Sequence, residues 1–182
     1  ATFCASRIAL ASPDPAIRGM SVAPIAGRLN GCGLSDGVKV TSVDGVPLSV
    51  PATIDCTTAL ALRSWVTDGL KPVVGKRGGG VARIEVAGSY ACRPRNNQSG
   101  QQISEHGRGK AVDITGIILK DGEVITVLRD WGRGKQGEIL AGIHWVACHS
   151  FGTVLGPAAN SFHRDHFHFD TAKNRRAGGY CR

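Results

Sequence analysis

Histidine and aspartate crowd two short stretches of the chain, Ser104-Glu105-His106-Gly107-Arg108-Gly109-Lys110-Ala111-Val112-Asp113 and His163-Arg164-Asp165-His166-Phe167-His168-Phe169-Asp170. Imidazole nitrogens and carboxylate oxygens are donors that zinc takes, and a catalytic zinc site uses three of them and leaves a fourth position to water. In the first stretch Asp113 is an acid inside an otherwise apolar run, where a carboxylate requires a positive partner or a metal. Extended backbone puts Ala111, Asp113 and Thr115 on one face and Val112 and Ile114 on the other. The glycines at 107 and 109 let the chain turn, so that His106 folds back over the Asp113 face. In the second stretch alternation sends Phe167 and Phe169 into the core and gathers His166, His168 and Asp170 on the opposite face. An isolated His-x-His pair is a weak metal signal. The joint pattern is far more specific, because a strand acid and a loop histidine about 50 to 60 residues upstream join the pair. His144 and His149 stand outside it and read as packing or surface residues.

These side chains need a scaffold of strands. Val38 to Val43 alternates like a strand, Asp44-Gly45 gives a turn, and Val46-Pro47-Leu48 follows. After Pro51-Ala52-Thr53 the apolar residues Leu60, Leu62, Trp65, Val66 and Leu70 recur at helical steps, with Thr57 or Thr58 as the cap. The glycines between 75 and 80 end that helix, and Val81 to Tyr90 reads as a strand. Residues 93 to 110 are polar, lack periodicity and read as a long loop of the kind that is often functional. Ala111 to Leu119 and Val124 to Leu128 form a β-hairpin across Lys120-Asp121-Gly122. Glu138 to Phe151 reads as a helix, Gly152 to Ala159 as a loop, and His166 to Asp170 as a last short strand. The expected fold is therefore α+β, a small antiparallel sheet that bears the metal site and is flanked by helices. The 182 residues are one domain, with residues 1–31 as an N-terminal extension packed on it.

Composition narrows the setting. A hydrophobic share of 42% is that of a globular chain. No apolar run approaches the roughly 20 residues of a membrane-spanning helix. Cys4, Cys32, Cys56, Cys92, Cys148 and Cys181 are spread widely and contain no Cys-x-x-Cys pair, which points to three disulfides in an oxidising compartment. The pairing stays open among about 15 possibilities. The formal charge of +8 suits an anionic partner. Its arginines and lysines are scattered through polar loops without a helix-turn-helix, zinc-finger or aromatic RNA-binding pattern, so nucleic acid is not expected.

The motif His106-x-x-Gly109-x-Ala111-x-Asp113 followed by His166-x-His168 resembles the LAS group of zinc peptidases. That group includes lysostaphin-type enzymes, D-Ala-D-Ala peptidases and the zinc fold of hedgehog signalling domains. A closer resemblance is to the bacterial extensin-like C-terminal domain, carried by Gly88-Ser89-Tyr90-Ala91-Cys92-Arg93, Ser104-Glu105-His106, Leu128-Arg129-Asp130-Trp131-Gly132, Phe151-Gly152-Thr153-Val154-Leu155-Gly156-Pro157, His163 to His168 and Gly179-Tyr180-Cys181-Arg182. It runs from about Cys32 to the end of the sequence.

The resemblance implies a zinc (Zn2+) ion held by His106, Asp113 and His168, and a hydrolase that cleaves D-amino-acid peptide bonds of peptidoglycan as endopeptidase or carboxypeptidase. His163-x-x-His166-x-His168 is similar to the penicillin-insensitive murein endopeptidases, whose additional histidines are catalytic. The D-Ala-D-Ala dipeptidases place a glutamate three residues before the last ligand, and Asp165 stands at that position here. His166 and Asp165 are thus both candidates for the proton-transferring base, and strand alternation favours His166. Arg93 resembles the arginine that holds substrate near the scissile carbonyl, and Arg93 or His163 would stabilise the developing oxyanion. The implied partner is the peptidoglycan stem peptide, the implied setting the periplasm or the exterior, and the implied state a monomer. A zinc-bearing peptidoglycan-binding domain without activity, as in hedgehog-like relatives, is the alternative.

Overall fold

The structure is a computed structural model, which describes residues 3–7, 15–173 and 179–182. A short helix, α1 (Phe3–Arg7), precedes strand β1 (Ile17–Val22) and a small two-stranded ribbon of β2 (Ile25–Ala26) and β3 (Gly33–Leu34). Next come β4 (Gly37–Val43) and β5 (Val46–Asp55). Their turn is Asp44-Gly45 with φ of 47° and 77°, the left-handed pair of a type I′ hairpin.

Two corrections to the sequence reading follow in β5. The strand runs to Asp55, so Thr53 and Ile54 pair with Lys39 and Val38 instead of leading a helix. Pro51 is tolerated because it lies where the β4–β5 register shifts and no ladder partner is lost. The helix cap is Asp55, whose Oδ1 accepts from the Thr58 amide at 2.8 Å. Helix α2 (Cys56–Ser64) continues through a π-helical stretch, Trp65–Leu70, into α3 (Lys71–Val74). Gly75 closes it with φ 58°.

Strand β6 (Val81–Gly88) pairs antiparallel with β7 (Ala111–Leu119), and β8 (Val124–Thr126) folds back on β7. The second strand of this hairpin stops at Thr126, two residues earlier than its pattern indicates. There Thr126 becomes the cap of α4 (Val127–Asp130), and its own amide donates to Asp130 Oδ2 at 2.8 Å. Helix α5 (Gly134–Ala147) begins and ends four residues before the predicted helix of 138–151. The last predicted turn instead folds Phe151 inward onto Phe169. The segment read as a loop after it contains β9 (Thr153–Leu155), which pairs with β10 (Phe167–Asp170). The end of the chain adds β11 (Tyr180–Cys181) beside β9.

The fold is α+β, but the sheet is neither small nor purely antiparallel. Among the described residues it has nine strands in the order β1-β4-β5-β6-β7-β10-β9-β11, with β8 paired to β7. The β5–β6 and β9–β11 pairs are parallel. Short strands such as β9 and β11 carry no periodicity that a sequence could display.

The helices cover one face. Trp65 is fully buried, donates Nε1–H to the Ile143 carbonyl at 2.9 Å, and meets Phe169 edge-on at 5.2 Å. Phe167 packs against Trp131 and His144. The phenylalanines of β10 thus seal the core, and the residues between them are turned to the opposite face.

All six cysteines are paired, Cys4 with Cys56, Cys32 with Cys92 and Cys148 with Cys181, as their number and spread predict. No helix among the described residues is long and apolar enough to cross a membrane.

Candidate metal centre

Three segments bring the polar residues together. Asp113 and His168 are direct cross-strand partners on β7 and β10. Gly88 of β6 lies opposite Asp113, and a Cβ at Gly88 would stand 3.0 Å from Asp113 Oδ2, so a glycine leaves the carboxylate its space. His106 arrives on a single 3-10 turn, Glu105–Arg108, capped by Ser104 and ended by Gly109 in the left-handed conformation at φ 68°. That turn is pinned at both ends. Asp55 N donates to the Gly109 carbonyl at 2.7 Å, and Ala91 N donates to the His106 carbonyl at 3.2 Å.

The result is a tight cluster. His106 Nε2 lies 3.1 Å from Asp113 Oδ1 and 3.2 Å from His168 Nδ1, and His168 Nδ1 lies 3.0 Å from the same Asp113 oxygen. All three side chains are nearly buried. The far nitrogen of each imidazole is committed as a donor. His106 Nδ1–H points at the Ser89 carbonyl at 2.6 Å, and His168 Nε2–H at Asp170 Oδ2 at 3.0 Å. In the neutral rings the remaining nitrogens are lone pairs, so three acceptors converge on one point.

That arrangement fits zinc on two counts. Nitrogen and oxygen ligands at about 2.0–2.2 Å from a tetrahedral ion stand a little over 3 Å apart. Metal-bound histidines also donate their other N–H to a carbonyl or carboxylate, as both do here. Without a cation the cluster would hold a proton in its place. Burial disfavours the His168 imidazolium, but Asp113 and Asp170 more than reverse this and push its pKa up to about 9. Burial likewise acts to raise the Asp113 pKa, yet hydrogen bonds from His106 and His168 hold it well below the usual carboxylate range. The site is built for positive charge.

A second group, His144 with Cys148 and Cys181, also lies within ligating distance. Its sulfurs are joined to each other, so they are not thiolates and cannot serve.

The cluster forms the floor of a cleft of about 760 Å³. Arg93, His163 and His166 line it, as do all three cluster residues. His166 Nε2 is 3.9 Å from Asp113 Oδ1, and its Nδ1 is 2.7 Å from Asp165 Oδ1. Asp165 does not reach the cleft. It is exposed behind His166, whose hydrogen bond lowers its pKa.

His163 sits on the 3-10 turn Ser161–His163, and its Nδ1 meets Asn160 Oδ1 at 2.8 Å. That oxygen also accepts from the Phe162 amide, so His163 Nδ1 carries the proton and Nε2 is bare. Burial, followed by the charges of His168 and His166, brings its pKa down to about 4.

Arg93 stands on an arm that the sequence presents as an irregular loop. Pro94 bridges to Ile103, Arg95 N donates to the Gln102 carbonyl at 2.9 Å, and Ser104 N to the Arg93 carbonyl at 3.0 Å. The Cys32–Cys92 bond anchors its base. The roles of Asn160, of the Ser89 carbonyl and of Asp170 as ring partners escape sequence reasoning. Only Asp170 leaves a signal, by falling on the same strand face as His168.

A disulfide-stapled α+β domain, with a metal-binding type of cluster at the floor of a cleft, is the class of protein these features define. Comparison with known families narrows it: the chain belongs to the family described as Extensin-like protein C-terminus, whose model matches residues 12–182. No curated protein and no solved structure matches the chain.

Proposed function

We propose that this chain is a zinc-dependent peptidoglycan hydrolase that cleaves a peptide bond between D-amino acids of the stem peptide, with His106, Asp113 and His168 as the ligands. The observation that carries the reading is the convergence of three lone-pair donors at the floor of the cleft, each imidazole braced from behind. Zinc bound there would act as a Lewis acid and bring the pKa of water down to about 7.

The chain's own residues supply the rest. His166 turns its bare Nε2 toward the cluster while Asp165 holds its Nδ1–H, which orients the ring to take a proton from the attacking water and return it to the leaving amine. Arg93 offers guanidinium donors to the substrate's carbonyl or carboxylate. His163, with its proton on the Asn160 side, presents a lone pair, so Arg93 fits the oxyanion role better. Three disulfides suit the periplasm or the exterior, and a charge of +8 suits an anionic wall polymer. The resemblance to the D-Ala-D-Ala peptidases supports the same substrate class.

Incubation of the zinc-loaded protein with defined muropeptides, followed by mass spectrometry, tests the proposal. Products that vanish on chelation and return with zinc are expected. A protein that binds zinc and muropeptide yet yields no product would be a non-catalytic peptidoglycan-binding domain.

A further inference from the structure

We infer that Asp170 is a positioning residue that fixes which nitrogen of His168 faces the metal. The inference rests on the zinc reading above and adds a residue to it.

His168 presents Nδ1 to Asp113 and His106, and Nε2 to Asp170 Oδ2 at 3.0 Å. Asp170 is 5% exposed, and its other oxygen accepts from the Ala172 amide at 3.0 Å. Both oxygens are therefore engaged, and the carboxylate is held in one orientation. With Oδ1 taken by the Ala172 amide, Oδ2 is the acceptor that meets the ring, so His168 donates Nε2–H to it and turns Nδ1 to the cluster, where a metal would take its lone pair. The two residues are placed for this by the strand itself. Positions 168 and 170 share a face, and both are locked in the ladder, His168 opposite Asp113 and Asp170 opposite Ala111. Asp170 is not a fourth ligand, because its carboxylate lies at the opposite edge of the ring from the cluster.

Asp170→Asn is the informative change, since it keeps size and removes one acceptor. The Ala172 amide claims the single amide oxygen, which leaves the NH2 group facing His168 Nε2. That contact favours the tautomer with hydrogen on Nδ1, aimed into the metal site. Zinc affinity, measured by chelator competition, should fall about 10- to 100-fold. Circular dichroism and the complete absence of free thiol should match the parent. In the zinc-loaded parent, long-range proton–nitrogen NMR should find the His168 proton on Nε2, a readout that needs no variant.

Equal zinc affinity in parent and Asp170→Asn overturns the inference alone, as does a His168 proton found on Nδ1 in the zinc-loaded parent. A parent that takes up no zinc overturns the metal reading, and this inference with it.

Discussion

His166 stands between two carboxylates, with exposed Asp165 at its Nδ1 and Asp113 of the cluster 3.9 Å from its Nε2. On the proposed reading, that order gives the histidine the proton-transfer role and makes the aspartate its support. His166→Ala should lower muropeptide turnover by about 10²- to 10⁴-fold while zinc stays bound. Asp165→Ala should lose less, because the imidazole remains. His168→Ala should lose the metal itself. Turnover paired with zinc analysis on each variant separates these outcomes. A dead Asp165→Ala beside a near-normal His166→Ala would make the aspartate the base. Alternation on β10 was enough to place His166, His168 and Asp170 on the cleft side and both phenylalanines in the core. The hydrogen-bond partners that choose the tautomers were not legible, since Asn160 and the Ser89 carbonyl reach their rings through backbone turns that no spacing reveals.

At the scale of elements, the helical layer depends on a close approach. Gly69 lies in the π-helical stretch, and a Cβ there would stand 2.6 Å from Val146 Cγ2 on α5. Valine is stiff about its first side-chain torsion, so it cannot swing aside freely. Gly69→Ala should destabilise the fold by about 1–3 kcal/mol. Adding Val146→Ala should restore part of that loss. Urea denaturation of the single and double variants checks both, and equal midpoints for Gly69→Ala and parent would refute the packing argument. The long elements are legible because their apolar residues recur, as Leu62, Trp65, Val66 and Leu70 do along α2 and the π-helical stretch that continues it. The start of α2 differs from its pattern because Thr53 and Ile54 continue β5 and Asp55 is the cap. The extra strands β9 and β11 leave no such signal, because they are paired by distant partners rather than by local pattern.

Across the whole molecule, the disulfides tie peripheral segments to the sheet and helices. They close sequence separations of 52, 60 and 33 residues. By chain entropy each contributes about 4 kcal/mol. Full reduction should therefore lower the denaturant midpoint sharply. The Cys32→Ser/Cys92→Ser pair should also weaken muropeptide binding, because that bond anchors the arm bearing Arg93. A double variant with the parent's KM would show that the arm holds its place without the bond. The number and spread of the cysteines announce three bonds, but their partners depend on which segments the fold brings side by side.

The four residues Phe167-His168-Phe169-Asp170 serve the two sides of the molecule in turn. One residue gained or lost inside that strand would exchange the sides, putting rings into water and charges into oil at the same stroke. Loops on either side can lengthen or shrink, but a change of length inside the strand strikes the cleft and the interior together.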